Sequence, residues 1–449
     1  VTVNCLVERD PTSKAEIIAL IARPGTEAFE VIGTAPIRLI WQKQGLFDND
    51  ALILASNTLY RLSAAGDVQA FTGTIAGDGL CIADGGIDPD GNSLVRIATG
   101  TAMYTVSGSA VAAENFPDSS NTGATSVAFL SGYFWGAETG TDFVYYIEPG
   151  GTTWNPIEFA AAEYSPDKVK GVVVVGELAA LLGEVSTEFW RATGDATSPI
   201  EPAAGLKYDI GCRSIYAAVN CRGTLLWVDQ DCAVRMSQGG VPTIISDHGL
   251  AEQIRRSDPA DLRASFFVKD QHPVYVLTLG TAATWLYDLA SKEWTRATSA
   301  GYPYWRQDLF CNIGDVVLAR DVVSNQIYRI DPDLLDDDGT PFTMEFCAYL
   351  ETKERPVQVA NVDLHCEVGG SPRTGQGSDP LCGLQTSRDG GKTFNPNIRY
   401  RGLGATGEYM KRVRWNGLGQ ANHPQGMWFK WFISDPVVRR VSGASVNVP

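Results

Sequence analysis

Short apolar segments of about five residues, separated by clusters of Gly, Asp and Asn, run along most of the chain, and one of them keeps returning. Thr58-Leu59-Tyr60-Arg61-Leu62 sets its form: an apolar residue, an aromatic, a variable residue and another apolar one. It comes back as Met103-Tyr104-Thr105-Val106, Val144-Tyr145-Tyr146-Ile147, Phe189-Trp190-Arg191-Ala192, Val234-Arg235-Met236, Leu286-Tyr287-Asp288-Leu289 and Ile327-Tyr328-Arg329-Ile330. The second residues fall at 60, 104, 145, 190, 235, 287 and 328, so the steps are 44, 41, 45, 45, 52 and 41. A period of about 40 to 50 residues built from strands and Gly-rich turns is the signature of a β-propeller blade.

Each repeat offers two further strands ahead of the aromatic one. Ile37-Arg38-Leu39-Ile40-Trp41 and Ala51-Leu52-Ile53-Leu54-Ala55 precede the first marker; Gly171-Val172-Val173-Val174-Val175 and Leu178-Ala179-Ala180-Leu181-Leu182 precede the fourth. Runs this short, bounded by turn residues, read as buried strands and not as helices. Only Gly249-Leu250-Ala251-Glu252-Gln253-Ile254-Arg255-Arg256 has the i, i+4 spacing of a short helix, with Asp247 placed to cap it. The expected fold is all-β: a propeller of six or seven blades over residues 37–330, followed by a β-sandwich-like C-terminal domain over 341–449.

The recurring aromatics are predicted to fill the widening gap between neighbouring twisted sheets. They are Tyr60, Tyr104, Tyr145, Trp190, Trp227, Tyr287 and Tyr328; in the fifth repeat the marker itself is Arg235 and the ring is Trp227. Burial of each such ring is worth about 2 to 3 kcal/mol. A stacking platform for sugars or bases would instead gather them on one loop face.

Composition fits this pattern. The 449 residues exceed the roughly 250 to 300 at which single cores stop growing, so two domains or a repeat architecture are expected. Charged residues are only 20% and glycines number 46, which suits short strands and tight turns. Nothing reaches 18 consecutive apolar residues. Residues 1–10 lack the basic-then-apolar layout of a signal peptide; they begin with Val, so the numbering is expected to start after a removed segment. The nine cysteines are scattered without a C-x-x-C, as in a protein matured in a reducing compartment, and Cys212, Cys221 and Cys232 have no zinc spacing. A net charge of −16 argues against gripping nucleic acid through its phosphates, but it suits a channel wall along which DNA must slide.

Residues 1–36 read as an N-terminal extension or strand. Residues 331–340, with Asp331, Asp333, Asp336, Asp337 and Asp338, read as a solvated acidic linker. A calcium loop is excluded there, because the twelfth place from Asp331 is Phe342. The sharpest local motif lies further on: Ser387-Arg388-Asp389-Gly390-Gly391-Lys392-Thr393-Phe394 fits the Asp-box pattern S-x-D-x-G-x-T-(W/F). Its Asp389 is expected to bond turn amides, Gly391 to permit a positive φ, and Phe394 to anchor the returning strand, with Ser387 and Thr393 completing a tight structural hairpin. No catalytic, cofactor or metal residue is assigned. His248, His272, His365 and His423 lie in no nucleophile motif, and no phosphate-binding Gly loop follows a strand.

The order of parts resembles a known family. The Trp227 strand is followed by the turn Gly239-Gly240-Val241-Pro242, then Ile245-Ser246, the small helix, and Leu286-Tyr287-Asp288 with Trp294. After the Asp-box come Gly407-Glu408-Tyr409, Arg412-Val413-Arg414-Trp415, Leu418-Gly419 and Ser434-Asp435-Pro436-Val437. This is similar to the tail hub, or nozzle, proteins of short-tailed bacteriophages, also called packaged-DNA stabilisation proteins. The likeness runs from about Ile37 to the end and departs at Gln420-Ala421-Asn422-His423, where the family often has a basic pair.

The resemblance implies a non-enzymatic virion protein, assembled in the host cytoplasm, that forms a homo-hexameric ring in the tail. Such a ring extends the DNA channel below the portal and its adaptor, retains the packaged genome, and carries the tail needle, spikes or fibres. Double-stranded DNA passes through its lumen without sequence-specific binding. The alternative, from a different functional class, is a carbohydrate-binding or sialidase-like propeller of a tail or cell surface.

Overall fold

A computed structural model describes residues 2–9, 18–162, 165, 167–195, 198–269 and 271–448. Seven four-stranded antiparallel sheets account for residues 25 to 331. Blade one is Ile37–Trp41, Ala51–Ala55, Thr58–Leu62 and Val68–Ala70; blade two is Ile82–Ile87, Ser93–Ala98, Met103–Ser107 and Ala110–Glu114. Blade three is Ala124–Leu130, Tyr133–Glu138, Phe143–Ile147 and Phe159–Ala161; blade four is Val169–Val175, Leu178–Gly183, Thr187–Ala192 and Ile200–Tyr208. Blade five is Val219–Cys221, Thr224–Val228, Val234–Ser237 and Thr243–Ile244; blade six is Leu262–Lys269, His272–Leu279, Ala283–Asp288 and Glu293–Ala297. Blade seven takes Gln307–Ile313, Val316–Asp321 and Gln326–Asp331 from its own repeat, and its fourth strand, Gly25–Val31, from the N-terminal end of the chain. The recurring aromatic segment of the sequence is the third strand of every blade.

The first strand of each blade touches the first strand of the next, and that of blade seven touches that of blade one, which closes the circle. Both faces of a blade are therefore covered, and period-2 alternation sends neighbouring residues into different layers. Leu52 and Leu54 pack with Val95, Ile97 and Tyr104 of blade two, while Ala51, Ile53 and Ala55 pack with Ile313, Leu318 and Ile327 of blade seven. This explains why the second strands, such as 51–55 and 224–228, are buried at every position and read as unbroken apolar runs.

Contact density divides the chain into two compact units: Ala28–Ala282 with Arg306–Arg329, and Val1–Glu27 with Ala283–Trp305 and Ile330–Pro449. The second contains two further sheets. One has the order Cys5–Arg9, Ile18–Ala22, Arg440–Asn447, Val357–Cys366, Val413–Ala421; the other has Met344–Leu350, Met427–Ile433, Leu381–Ser387, Arg399–Gly402. Their shared core includes Cys5, Met344, Phe346, Val362, Leu384, Trp415, Phe429 and Trp431. Long alternation in Met427–Ile433, buried at every second residue, is the pattern of a strand with one face in a core.

The N-terminal extension or strand expected over 1–36 contains strands among its described residues: Cys5–Arg9 and Ile18–Ala22 belong to the five-stranded sheet, and Gly25–Val31 completes blade seven, so the propeller takes in residues ahead of the expected boundary at 37. Residues 331–340 are not a solvated linker. Asp337 accepts from Arg23 at 2.9 and 2.6 Å, Asp338 N donates to Thr26 O at 2.7 Å, and Gly25 N donates to Leu334 O at 3.0 Å. A Cβ on Gly25 would lie 2.3 Å from Asp336 O, so the two backbones can meet only at a glycine. The countercharge sits more than three hundred residues away, where no local reading of an acidic run could find it.

Arg23 is the centre of this knot. It is fully buried, donates from Nε to Asn4 Oδ1 at 2.9 Å and from Nη2 to Thr298 O at 3.0 Å, and lies 3.9 Å from the centre of the Phe342 ring. Arg439 lies 4.1 Å from the same ring, and burial beside Arg23 pushes its guanidinium down to about 10. Replacing Arg23 with Ala would leave the Asp337 carboxylate half of a buried pair, which costs about 3 to 5 kcal/mol. Equilibrium denaturation should show that loss for Arg23→Ala, and a much smaller further loss when Asp337→Ala is added.

Candidate functional site

The first strands of all seven blades line one cavity of about 420 Å³. Trp41, Ile82, Val127, Phe129, Val172, Val174, Val219, Ala264 and Leu309 make its wall largely apolar. First strands carry a register shift at their second or third residue in blades one, three, four and seven. In blade seven the shifted residue is Leu309, held at φ 49° and lining the cavity, so the bulge re-aims a large side chain toward the axis.

Polar groups in this wall are already engaged. Lys43 Nζ donates to Asp84 Oδ1 at 2.7 Å and to Gly85 O at 2.9 Å, and Asp84 Oδ2 accepts from Phe129 N at 2.7 Å. Tyr216 Oη donates to Leu80 O at 3.0 Å, and Asn220 Nδ2 donates to Val174 O at 2.6 Å. Burial pushes the Cys81 thiol up to about 11, away from thiolate chemistry. The cavity thus offers shape and apolar surface, with its carboxylate and ammonium groups tied to one another and to the backbone. At about 420 Å³ it has the volume of a small-molecule cleft.

The recurring aromatics are distributed between blades and not gathered on a loop face. Tyr104 lies in the layer between blades one and two, Tyr145 between two and three, Trp190 between three and four, and Trp227 between four and five. Tyr287 is buried beside Trp294, with ring centres 4.9 Å apart; Tyr60 packs half-buried on the layer shared by blades seven and one, and Tyr328 is half-buried.

The Asp-box occupies the connection between strands Leu381–Ser387 and Arg399–Gly402, which is longer than a tight hairpin. Asp389 accepts from Ser387 Oγ at 2.6 Å, from Thr393 Oγ1 at 2.5 Å, from Thr393 N at 3.0 Å and from Lys392 N at 3.0 Å. Gly391 has φ +82° and faces Trp428; Phe394 is half-buried, with Lys430 Nζ 5.1 Å from its ring centre. Bonds from the Ser387 and Thr393 hydroxyls hold the Asp389 carboxyl well below the usual carboxylate range.

The histidines are dispersed. His248 opens the helix His248–Arg256, whose Asp247 cap accepts from Leu250 N at 2.7 Å. His365 Nε2 lies 3.0 Å from Ser445 Oγ, but the nearby Asp363 carboxylate is taken by Arg412 and Arg414. His423 Nδ1 meets Thr352 O at 2.9 Å, and His272 begins the second strand of blade six. Among the described residues, no group of three or more His, Cys, Asp or Glu could hold a metal ion. Nor, among the described residues, is any helix long and apolar enough to cross a membrane.

A family model described as the β-propeller of bacteriophage P22 Gp10 matches residues 24–335, from just ahead of the strand that completes blade seven to just past the end of that blade. The chain belongs to this phage-stabilisation family. Its matched span takes in Gly25–Val31, which a boundary at residue 37 leaves out. No curated protein sequence matches the chain. Solved propellers resemble it only remotely. Virginiamycin B lyase from Staphylococcus aureus is 10% identical with a TM-score of 0.45, covering 66% of this chain and 94% of that one. The computationally designed Ika8 protein is 9% identical with a TM-score of 0.39, covering 69% and 91%. Chaetomium thermophilum Raptor is 12% identical with a TM-score of 0.41, covering 68% and 30%.

The sequence reading missed the axial wall, although its signal was available: the first strand of each repeat, ahead of the aromatic one. Gly86 shows how tightly that wall is fitted, since a Cβ there would stand 2.2 Å from the Phe129 ring. Gly86→Val should lower stability by about 1 to 3 kcal/mol through overpacking, read as a shifted denaturant midpoint with unchanged slope. The Asp389 geometry gives a pH-dependent outcome. Because the folded-state pKa is depressed, the loop's stabilisation is present above the ordinary carboxylate range and fades as pH falls below it. Hydrogen exchange of residues 388–394 should be faster in Asp389→Asn than in wild type at pH 7, and the difference should shrink progressively below about pH 4.

Proposed function

We propose that this protein is a structural subunit of a phage tail hub, a ring of six copies that extends the DNA channel below the portal and adaptor. Membership of the phage-stabilisation family carries the reading. The ring retains the packaged genome and bears the distal needle, spikes or fibres, and the protein works in the virion tail without catalysing a reaction. In this reading the channel is enclosed between copies and not within one. Six copies would carry −96 in total, which favours a lumen that repels the DNA backbone and lets it slide. Stability of the hub would come from repetition of one interface around a closed symmetry.

Negative-stain electron microscopy and native mass spectrometry test this directly, with and without a portal–adaptor complex. The expected result is a closed six-copy ring with an opening wide enough for duplex DNA. Persistent monomers in both conditions, together with binding to a glycan array, would overturn the proposal in favour of a carbohydrate-binding propeller.

A further inference from the structure

In a chain of net charge −16, residues 388–414 stand apart: they hold seven of the 36 basic residues and two of the 52 acidic ones, a net of +5 that leaves −21 elsewhere. They lie along one side of the two-sheet C-terminal unit, where Arg399–Gly402 is the edge strand of one sheet and Val413–Ala421 the edge strand of the other. Arg401 Nε donates to Arg414 O at 2.9 Å, Arg399 Nη2 donates to Asn416 O at 2.5 Å, and Arg388 Nη2 donates to Leu418 O at 2.8 Å. Arginines thus occupy carbonyls that an added strand would need, so this edge is blunted against β-addition. Any partner here must be met through side chains.

Those side chains are unusual for a solvated face. The loop after Gly402 is braced internally, with Glu408 accepting from Ala405 N at 3.1 Å and from Lys411 Nζ at 2.9 Å, and Thr406 Oγ1 donating to Ser371 O at 2.7 Å. At its tip Tyr409 is 69% exposed and Met410 97% exposed; Tyr400 on the adjoining strand is 52% exposed. A Cβ on Gly402 would lie 3.9 Å from Lys411 Cε, so the loop and the edge strand form one continuous surface. Tyr, Met and Arg together, with few Lys, Glu and Asp, is the composition of interface centres.

We infer that this strip, with Tyr409 and Met410 as its knob and Lys411 and Arg412 as its rim, is the surface by which one copy of the chain docks on an acidic surface of the next. The inference rests on the ring reading above and names the contact that builds it. Charge complementarity selects the occupant, since the rest of the chain carries a net −21. The same charge forbids a two-fold contact of the strip with itself, because like charges would face each other. The remaining arrangement is head-to-tail, the only kind that generates a ring of more than two copies from one repeated interface. Nucleic acid fits less well, because Met410 and Tyr409 at the tip have no role in neutralising phosphates.

The experiment compares wild type with Met410→Glu, Tyr409→Ser and Lys411→Glu by native mass spectrometry and sedimentation across a salt series, with thermal melting as a check on folding. Wild type should form rings that weaken as salt rises. Each variant should fold with an unchanged melting temperature and associate at least tenfold more weakly. Rings from all three variants at wild-type concentrations would overturn the inference and leave the hub reading standing. Wild type that stays monomeric with and without portal–adaptor would overturn both. Retention of a short DNA duplex by wild type, lost in Lys411→Glu while rings persist, would reassign the strip to nucleic acid and also overturn the inference.

Discussion

Circular closure is the constraint on which the rest of the propeller depends. Seven sheets can cover one another's faces only if the last meets the first, and every junction between neighbouring blades carries a polar tie as well as apolar packing. Lys43 reaches Asp84, Asp84 holds Phe129 N, Ser126 Oγ accepts from Val172 N, and Asn220 holds Val174 O. Tyr275 Oη then donates to Ala217 O, Asn312 Nδ2 to Val268 O, and Arg320 to Ile37 O, returning to blade one. Apolar burial supplies most of the stabilisation, but it is non-directional; the hydrogen bonds fix which sheet follows which.

Closure also sets the character of the axis. Drawing seven first strands to one axis leaves a small apolar cavity whose polar members satisfy one another. In a wall of this kind the acidic and basic groups, Asp84 and Lys43, are held by each other and by neighbouring backbone. Burial thus stabilises the propeller of this member of the phage-stabilisation family from its axis outward.

The N-terminal segment contributes at three places. Its first strands extend the five-stranded sheet, Arg23 neutralises Asp337 inside a knot shared with Asn4, Phe342 and Arg439, and Gly25–Val31 gives blade seven its outer strand. Pairing Gly25–Val31 with Gln326–Asp331 ties an early segment to the last repeat, so the circle cannot open there without breaking a sheet. The C-terminal unit handles its exposed edges differently, by plugging backbone carbonyls with arginines.

Local chemistry determined a great deal by itself. The repeat of about 40 to 50 residues marked all seven third strands, because each sets buried apolar or aromatic residues among partly exposed ones at the same place in its blade, and the turns between strands favour glycine or aspartate. The Asp-box is equally self-contained, since Ser387, Asp389 and Thr393 bond one another within a few residues. Short outer strands such as Val68–Ala70, exposed at all three positions, left no such imprint, because nothing covers them. Tertiary structure alone decided the partners of distant segments: Gly25–Val31 with blade seven, Arg23 with Asp337, and the ring of first strands around the axis. Those pairings depend on charges and edges separated by up to some three hundred residues, and they exist only once the circle has closed.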